Sequence, residues 1–456
     1  MGKINLLGFD LGTTTSKCIL FNAELHDNHV LGKSEIRGLQ TIYRSEPVFT
    51  PYLSQTLICE EKLESLISHW VNKLQLISQT TLITSAIVTG LAAQKQNVSA
   101  IERILEKYFG SSIMLTTTDP RLESWVAFMG SALKISKDNP ESIVINIDIG
   151  GGTSNIALAR NGQVFDTGSY FIGARHIIFQ PGTYKIQSYT KYAQSLSQAV
   201  GLELHIENTL TSYQVSCYTE QLVQNLESVL YDKSNVNPKI IQASLSDFFL
   251  ENDHIITFSG GVAELLYNSS QGAIAAYGDL GYELVAALKK SKLTKDISSF
   301  IAENKGRATV FGLAVNSFEL SGNSIYISND FELAIGNIPV VGHFHYEDNL
   351  EQLYELVEST KKIGGTAALY ISFSKINLEN IKKLSLIFRS YLSPQMKMVL
   401  ILEPNIGKTL GSYISNWGQE KLSLLVLDQI NPKPAQFVHI GNWVEGCLPV
   451  TFFGIT

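Results

Sequence analysis

Two stretches of this chain repeat one arrangement: "GFDLGTTTSK" at Gly8–Lys17 and "NIDIGGGTSN" at Asn146–Asn155. In each, an apolar run ends in an aspartate (Asp10, Asp148), a turn of glycine and threonine follows, and a second apolar run begins. Run, glycine turn, run is the pattern of a β-hairpin, so Asp10–Ser16 is expected to be the loop of the first. The chemistry open to such a loop is narrow. Backbone N–H groups come closest to a phosphate chain where no Cβ intervenes, and threonine hydroxyls add donors. A carboxylate at the same place repels phosphate unless a divalent cation lies between, and Mg²⁺ accepts one or two carboxylates together with phosphate oxygens and water. Either turn alone reads equally well as a structural hairpin. Two in the same order point to loops that grip one triphosphate from opposite sides, with Asp10 and Asp148 on the metal and Lys17 reaching the outer phosphates as a point charge.

The rest of the chain supports a doubled architecture. After the first hairpin, "LESLISHWVNKLQLI" places Leu63, Leu66, Ile67, Trp70 and Leu74 on one helical face, "ITSAIVTG" reads as a buried strand, and "VSAIERILEKYF" is a second helix. "DPRLESWVAFMGSALKI" is a third, with Asp119 as its cap and Pro120 in its first turn. The chain then starts again with the strand "SIVINIDI", the second glycine turn, and the strands "NIALAR" and "VFDTGSYF". Two long helices follow, and the strand "HIITFSGG" ends in a third glycine turn at Gly260–Gly261. "GDLGYELVAALKKS" and "RATVFGLAVNSFEL" are helical by spacing. From about Asp330 short strands alternate with helices and no turn of the earlier type recurs. The expected units are 1–141, 142–329 and a smaller α/β unit at 330–456.

Composition excludes several classes. A chain of 456 residues is too long for one ordinary core, and 45% hydrophobic with 17% charged residues describes a well-buried globular protein. A formal charge of -7 argues against a nucleic-acid surface. Cys18, Cys59, Cys217 and Cys447 lie far apart with no CxxC pair, the usage of reduced cytosolic thiols. No apolar stretch reaches the ~18 residues of a membrane span, so a cytoplasmic protein is expected, with no membrane or nucleic-acid partner.

The segments "DLGTTTSK", "DIGGGTSN" and "FSGGVAE" resemble the two phosphate motifs and the adenosine motif of the actin–Hsp70–sugar kinase ATPase superfamily. Carried over residue by residue, Asp10, Gly12, Thr13, Thr14 and Lys17 form the first phosphate loop, and Asp148, Gly150, Gly151, Gly152 and Thr153 the second. Gly260, Gly261 and Glu264 line the adenosine pocket. The helix "DPRLESWVAFMG" stands where the superfamily has its first connecting helix. That makes Glu123 the candidate to orient the attacking water or to hold Mg²⁺ through one; its other reading is a carboxylate offsetting the dipole of a helix start. Within the superfamily, "RLESWVA", "HIITFSGGVAE", "YGDLGYELVAAL" and "RATVFG" resemble the ethanolamine ammonia-lyase reactivating factors, over residues 5 to 330 and more loosely beyond.

The resemblance implies an α/β fold of two actin/Hsp70-like, ribonuclease H-like lobes with a smaller C-terminal α/β domain. It implies a low-turnover ATPase that acts as a chaperone, using ATP and Mg²⁺ to free damaged cobalamin from ethanolamine ammonia-lyase. Adenosylcobalamin then belongs to the lyase and not to this chain. A homodimer is one assembly open to such a protein, and a bacterial microcompartment is an alternative setting to the open cytoplasm. Two other functions remain in play: a small-molecule kinase, which needs an acceptor pocket and base, and an actin-like scaffold, which needs self-complementary lobes. "GHFHYED" puts His343, His345 and Glu347 on one strand face without a further metal ligand, and "EPNIGKTLG" lacks the leading glycine of a P-loop.

Overall fold

A computed structural model describes residues 2–28, 33–54, 56–74, 81–110, 114–116, 119–246, 254–268, 275, 277–295, 299–322, 324–347, 350–363, 365–393, 396–431 and 435–455. The first apolar run becomes β1 (Gly2–Leu11), buried from Ile4 to Leu11 because it lies at the centre of its sheet. It turns back into β2 (Thr15–Asn28), which is followed by β3 (Lys33–Arg44) and the two-residue β4 (Val48–Phe49). Helices α1 (Glu60–Lys73) and α2 (Ser99–Phe109) flank β5 (Thr81–Val88), and β6 (Met114–Thr116) completes the sheet. Among the described residues this sheet has the order β3-β2-β1-β5-β6, with β4 on β2. Leu63, Ile67 and Trp70 of α1 and Ile101 and Ile104 of α2 pack on Leu7 and Phe9 of β1, which is the face their spacing requires.

The second half repeats this plan. After α3 (Pro120–Ser131) and the short α4 (Leu133–Asp138) come β7 (Ile143–Ile149), β8 (Ser154–Arg160) and β9 (Gln163–Tyr170). A small hairpin, β10 (Ile177–Phe179) and β11 (Ile186–Tyr189), leads to α5 (Lys191–Ala199) and α6 (Ser212–Tyr231). Then come β12 (Ile241–Ala243), β13 (His254–Ser259), α7 (Gly261–Asn268) and α8 (Gly281–Leu288). The sheet order is β12-β9-β8-β7-β13. In both sheets the first strand is antiparallel to the second and parallel to a later one, β5 or β13. The two lobes are therefore one topology used twice.

Helices α3 and α9 (Ala308–Asn316) join the lobes. Phe128 of α3 packs on Val144, Ala157 and Ile255 of the second sheet. Val310 and Ala314 of α9 pack on Ile4 and Leu6 of the first. The two helices cross at Gly130 and Gly312, where a Cβ on Gly130 would lie 1.9 Å from the Ala308 carbonyl oxygen and one on Gly312 1.9 Å from that of Val126. Only hydrogen side chains allow that approach. Asp119 caps α3 through the Leu122 N–H at 2.9 Å, with Pro120 in the first turn, as the sequence predicts.

The remaining strands are β14 (Phe318–Leu320), β15 (Tyr326–Ile327), β16 (Ile335–His345), β17 (Thr366–Ser372), β18 (Lys397–Leu402), β19 (Ser423–Leu427), β20 (Ala435–Ile440) and β21 (Pro449–Ile455). With α10 (Leu350–Ile363), α11 (Leu378–Tyr391) and α12 (Gly407–Ile414) they build an eight-stranded α/β unit, order β14-β21-β20-β16-β17-β18-β19-β15. The Gly-Lys-Thr segment starts α12 as a strand-to-helix turn.

Several expectations change. The first loop is shorter than Asp10–Ser16, because Asp10 pairs with Lys17 and Leu11 with Ser16 inside the hairpin. The helix read from Arg307 to Leu320 stops at Asn316, where the chain turns to pair β14 with β21. The third helix breaks at Ala132 into α3 and α4. Packing also crosses the expected units: α9, within 142–329, lies against the first sheet, and Val444 and Cys447 enter the same core as Ile4.

Candidate functional site

The two hairpins share one register. Asp10 faces Lys17 across the first, and Asp148 faces Asn155 at the matching place in the second. Each turn is closed by its glycine N–H on a threonine carbonyl, Gly12 on Thr15 at 3.0 Å and Gly150 on Thr153 at 2.9 Å. Protein donors also hold the turn carbonyls. Thr50 Oγ1 donates to Gly12 at 2.7 Å and the Tyr52 hydroxyl to Thr13 at 3.0 Å. In the second turn the Ala174 N–H donates to Gly150 at 3.1 Å and His176 Nε2 to Gly152 at 2.8 Å. His176 is fully buried, and burial holds its pKa down to about 4, so the neutral ring serves as a fixed strut.

The tips of the turns meet. A Cβ on Gly151 would fall 1.9 Å from Thr14 Oγ1, so a side chain there would part the lobes. Behind the contact lies a cavity of about 390 Å³, within the range of small-ligand pockets. Asp10, Gly12, Thr13, Thr14, Lys17, Glu123, Asp148, Gly150, Gly151, Gly152, Thr153, Gly260, Gly261 and Glu264 all line it. Residues from both hairpins, α3 and the third glycine turn thus converge on one space.

Sequence reasoning missed other residues of the site, some in the wall and some behind it. Thr89, at the end of β5, donates to Asp10 Oδ1 at 3.1 Å. Ser259, at the end of β13, donates to Asp148 Oδ2 at 2.6 Å and accepts from Asn146 Nδ2 at 2.9 Å. Asn155 donates to Glu123 Oε1 at 2.7 Å, while the Gly90 N–H reaches Glu123 Oε2 at 3.3 Å. Asn155 stands in the second repeat where Lys17 stands in the first, so aligning the two hairpins would have found it. Pro47, Phe49, Tyr277 and Asp279 also line the cavity but carry no motif. Lys17 Nζ donates to the Gly306 carbonyl at 2.5 Å, and Arg307 Nη1 stands 4.0 Å from Glu264 Oε1.

The site concentrates buried negative charge. Glu123 is pushed up to about 8, first by burial and then by Asp148 and Asp10. Asp148 rises to about 6 through burial, with Ser259 and Lys17 opposing and Asp10 adding. Asp10 is raised by burial, partly offset by Lys17 and Thr89. Uncompensated buried carboxylates are costly, and a cation would relieve the cost. A folded-state pKa above the unfolded one means that the folded chain holds the extra proton between the two values, so stability falls as pH rises through that window. For Glu123 the window runs from 4.5 to about 8. His176 and His439, both lowered to about 4 by burial, act in the opposite sense up to 6.5. Between pH 6.5 and 8 the empty chain is therefore expected to lose up to about 2 kcal/mol of unfolding free energy. Glu123→Gln should remove most of that loss, and parallel urea titrations of the two proteins with equal slopes would refute the assignment.

The "GHFHYED" segment forms a separate polar cluster. His343 Nε2 and His345 Nδ1 both lie 2.8 Å from Ser372 Oγ, and His345 Nε2 lies 2.9 Å from Glu347. Over Val340–His345 β16 pairs with β17, while its pairing with β20 is confined to Ile335–Pro339, and His343 is exposed. Among the described residues no group of three or more His, Cys, Asp or Glu could hold a metal by itself.

A hairpin-led sheet used twice, turns that meet tip to tip and two helices crossing between the lobes define a two-lobed protein of the actin and Hsp70 fold, extended by a C-terminal α/β unit. Similarity to known proteins narrows that class. The chain belongs to the family of the ethanolamine utilisation protein EutA, whose model matches residues 2–453. It is 24% identical over 462 residues to the ethanolamine ammonia-lyase reactivase EutA of Salmonella typhimurium, covering 98% of this chain and 97% of that one. It is likewise 24% identical over 461 residues to the protein of that name from Escherichia coli, with 98% and 97% covered. Component A of (R)-2-hydroxyglutaryl-CoA dehydratase from Acidaminococcus fermentans overlays with a TM-score of 0.34 at 15% identity, over 68% of this chain and 96% of that one. No helix among the described residues is long and apolar enough to cross a membrane.

Proposed function

We propose that this chain is an ATP-dependent reactivating factor for adenosylcobalamin-dependent ethanolamine ammonia-lyase. The observation that carries the reading is the convergence of two equivalent hairpin turns, each headed by a buried aspartate, on one cavity of ligand size. The curated relatives named as reactivases of that lyase supply the partner. In this reading the turns cradle the phosphates and Gly260, Gly261 and Glu264 face the nucleoside. Asp10 and Asp148, buried and short of positive charge, fit Mg²⁺, which would neutralise the phosphate oxygens when bound. Glu123, held by Asn155 and Gly90, orients the attacking water, and it can accept the proton once a bound cation favours its ionised form. Because both lobes touch the same ligand, its hydrolysis changes how they fit together, and a lyase that prefers one arrangement can be worked upon. The outcome on the lyase is release of damaged cobalamin, which leaves room for intact cofactor. The C-terminal unit, 330–456, is the proposed partner-facing module; it exposes Ile376, Leu378, Leu386 and Trp417.

The test is a recovery assay. Lyase inactivated with cyanocobalamin is mixed with this protein, adenosylcobalamin, ATP and Mg²⁺. Ammonia release should return, and should stay near background when nucleotide is omitted. Equal recovery without nucleotide would remove ATP from the mechanism, and no recovery in either arm would remove the lyase.

A further inference from the structure

We infer that Arg175 is a specificity-determining residue of this site: it reads the terminal phosphate of a nucleoside triphosphate and so lets the cleft tell triphosphate from diphosphate. The inference rests on the nucleotide reading given above.

Arg175 lies just beyond the second hairpin, and its N–H donates to the Gly151 carbonyl at 2.7 Å, which ties its backbone to the tip of that turn. Its stem passes Gly151 so closely that a Cβ there would be 3.3 Å from Arg175 Cδ. The guanidinium is centred 5.4 Å from the ring of Phe49, which comes from the other lobe. Phe49 pairs with Thr15, immediately after the first turn. Arg175 thus reaches from one hairpin to the strand that braces the other, and Phe49 lines the cavity.

The guanidinium is poorly matched by the protein around it. Nη1 is buried and makes no hydrogen bond. The facing anion, Asp279, stands 3.8 Å from Nη1, beyond hydrogen-bond range, and its Oδ1 accepts from the Gly281 N–H at 3.0 Å. Thr14 Oγ1 is also buried without a partner, and it packs against Gly151 as well. Two side chains that each carry an unmet donor therefore pack against Gly151, where the turns touch. Buried donors are nearly always satisfied, so the arrangement suits an acceptor that arrives with the ligand. A phosphoryl group with free oxygens fits best. A guanidinium fork spans two such oxygens, and a hydroxyl can serve a third. Arg175 itself stands directly behind the lining, against Gly151, Phe49 and Asp279, which do line the cavity. Lys17, a cation of the wall, is engaged by the Gly306 carbonyl and acts there as a point charge. Asp10, Glu123 and Asp148 supply the metal and water side of the same space, so Arg175 gives the ligand's far end a positive anchor.

The test is equilibrium binding, in Mg²⁺, of ADP and of a non-hydrolysable ATP analogue to the full chain. Arg175→Gln should weaken the analogue roughly tenfold or more, the scale of a charge-assisted bond, and ADP by less than about threefold. Arg175→Lys keeps the stem and charge but loses the fork, and should fall between the two; it also serves if the glutamine variant does not fold. Equal losses for both nucleotides, or none, would overturn the assignment while the nucleotide site stands. If the unsubstituted chain binds neither nucleotide, the nucleotide reading fails and this inference fails with it.

Discussion

Asp148→Asn is expected to lower Mg²⁺-dependent ATP hydrolysis by at least about 10²-fold, because it removes one of two charges proposed to hold the metal. Asparagine has almost the same shape, and its side-chain oxygen can still accept from Ser259, which bonds Asp148 at 2.6 Å. The network through Asn146 should survive. Stability should move the other way. The pKa of Asp148 lies near 6 because burial disfavours the ion, so at neutral pH a neutral replacement relieves the folded chain of about 1–2 kcal/mol. Hydrolysis measured by phosphate release and unfolding measured in urea therefore give opposite signs in one variant. Loss of both would indicate a disrupted fold, and unchanged hydrolysis would remove Asp148 from the metal.

Gly130→Ala or Gly312→Ala should destabilise the chain by about 3 kcal/mol, the upper end of ordinary overpacking. At an ordinary helix position the same change is favourable by up to about 1 kcal/mol, so the sign itself is diagnostic. The reason is the helix crossing, where a new methyl carbon at either site would stand 1.9 Å from a carbonyl oxygen of the opposing helix. Neither helix can retreat without pulling on its sheet, since Phe128 is locked among Val144 and Ala157 and Val310 among Ile4 and Leu6. A urea midpoint at or above that of the unsubstituted protein would show that the helices do not cross at these glycines.

Much of the cleft was legible because its parts are local. A strand that must be buried on both faces is a continuous apolar run, and the sharp turn after it needs glycine, so β1 and β7 and their loops stand out in one dimension. Helix α3 announces itself through Asp119 and Pro120. Long-range pairing leaves no such trace. Nothing around "RATVFG" says that α9 returns to the first sheet, or that β14 will pair with β21. The brace formed by Val48–Tyr52 was invisible for a different reason. Its residues act through a hydroxyl on a carbonyl and an exposed ring under a guanidinium, contacts that need no repeating pattern. Glu123 was open between two readings; it stands in the first turn of α3, as the helix-dipole reading has it, and its buried carboxylate also lines the cavity, bonded to Asn155 and Gly90.

The cap of α3 has a mechanical corollary. Asp119 uses one oxygen for its own helix and the other to accept from the Gly454 N–H at 2.6 Å, and Phe453 packs beside Leu122 and Val126. The tail of the chain is thus clamped to the rod whose opening coil carries Glu123. That rod crosses α9 at Gly130, so a tilt imposed at its cleft end would pass through Asp119 and Gly454 to the C-terminal sheet.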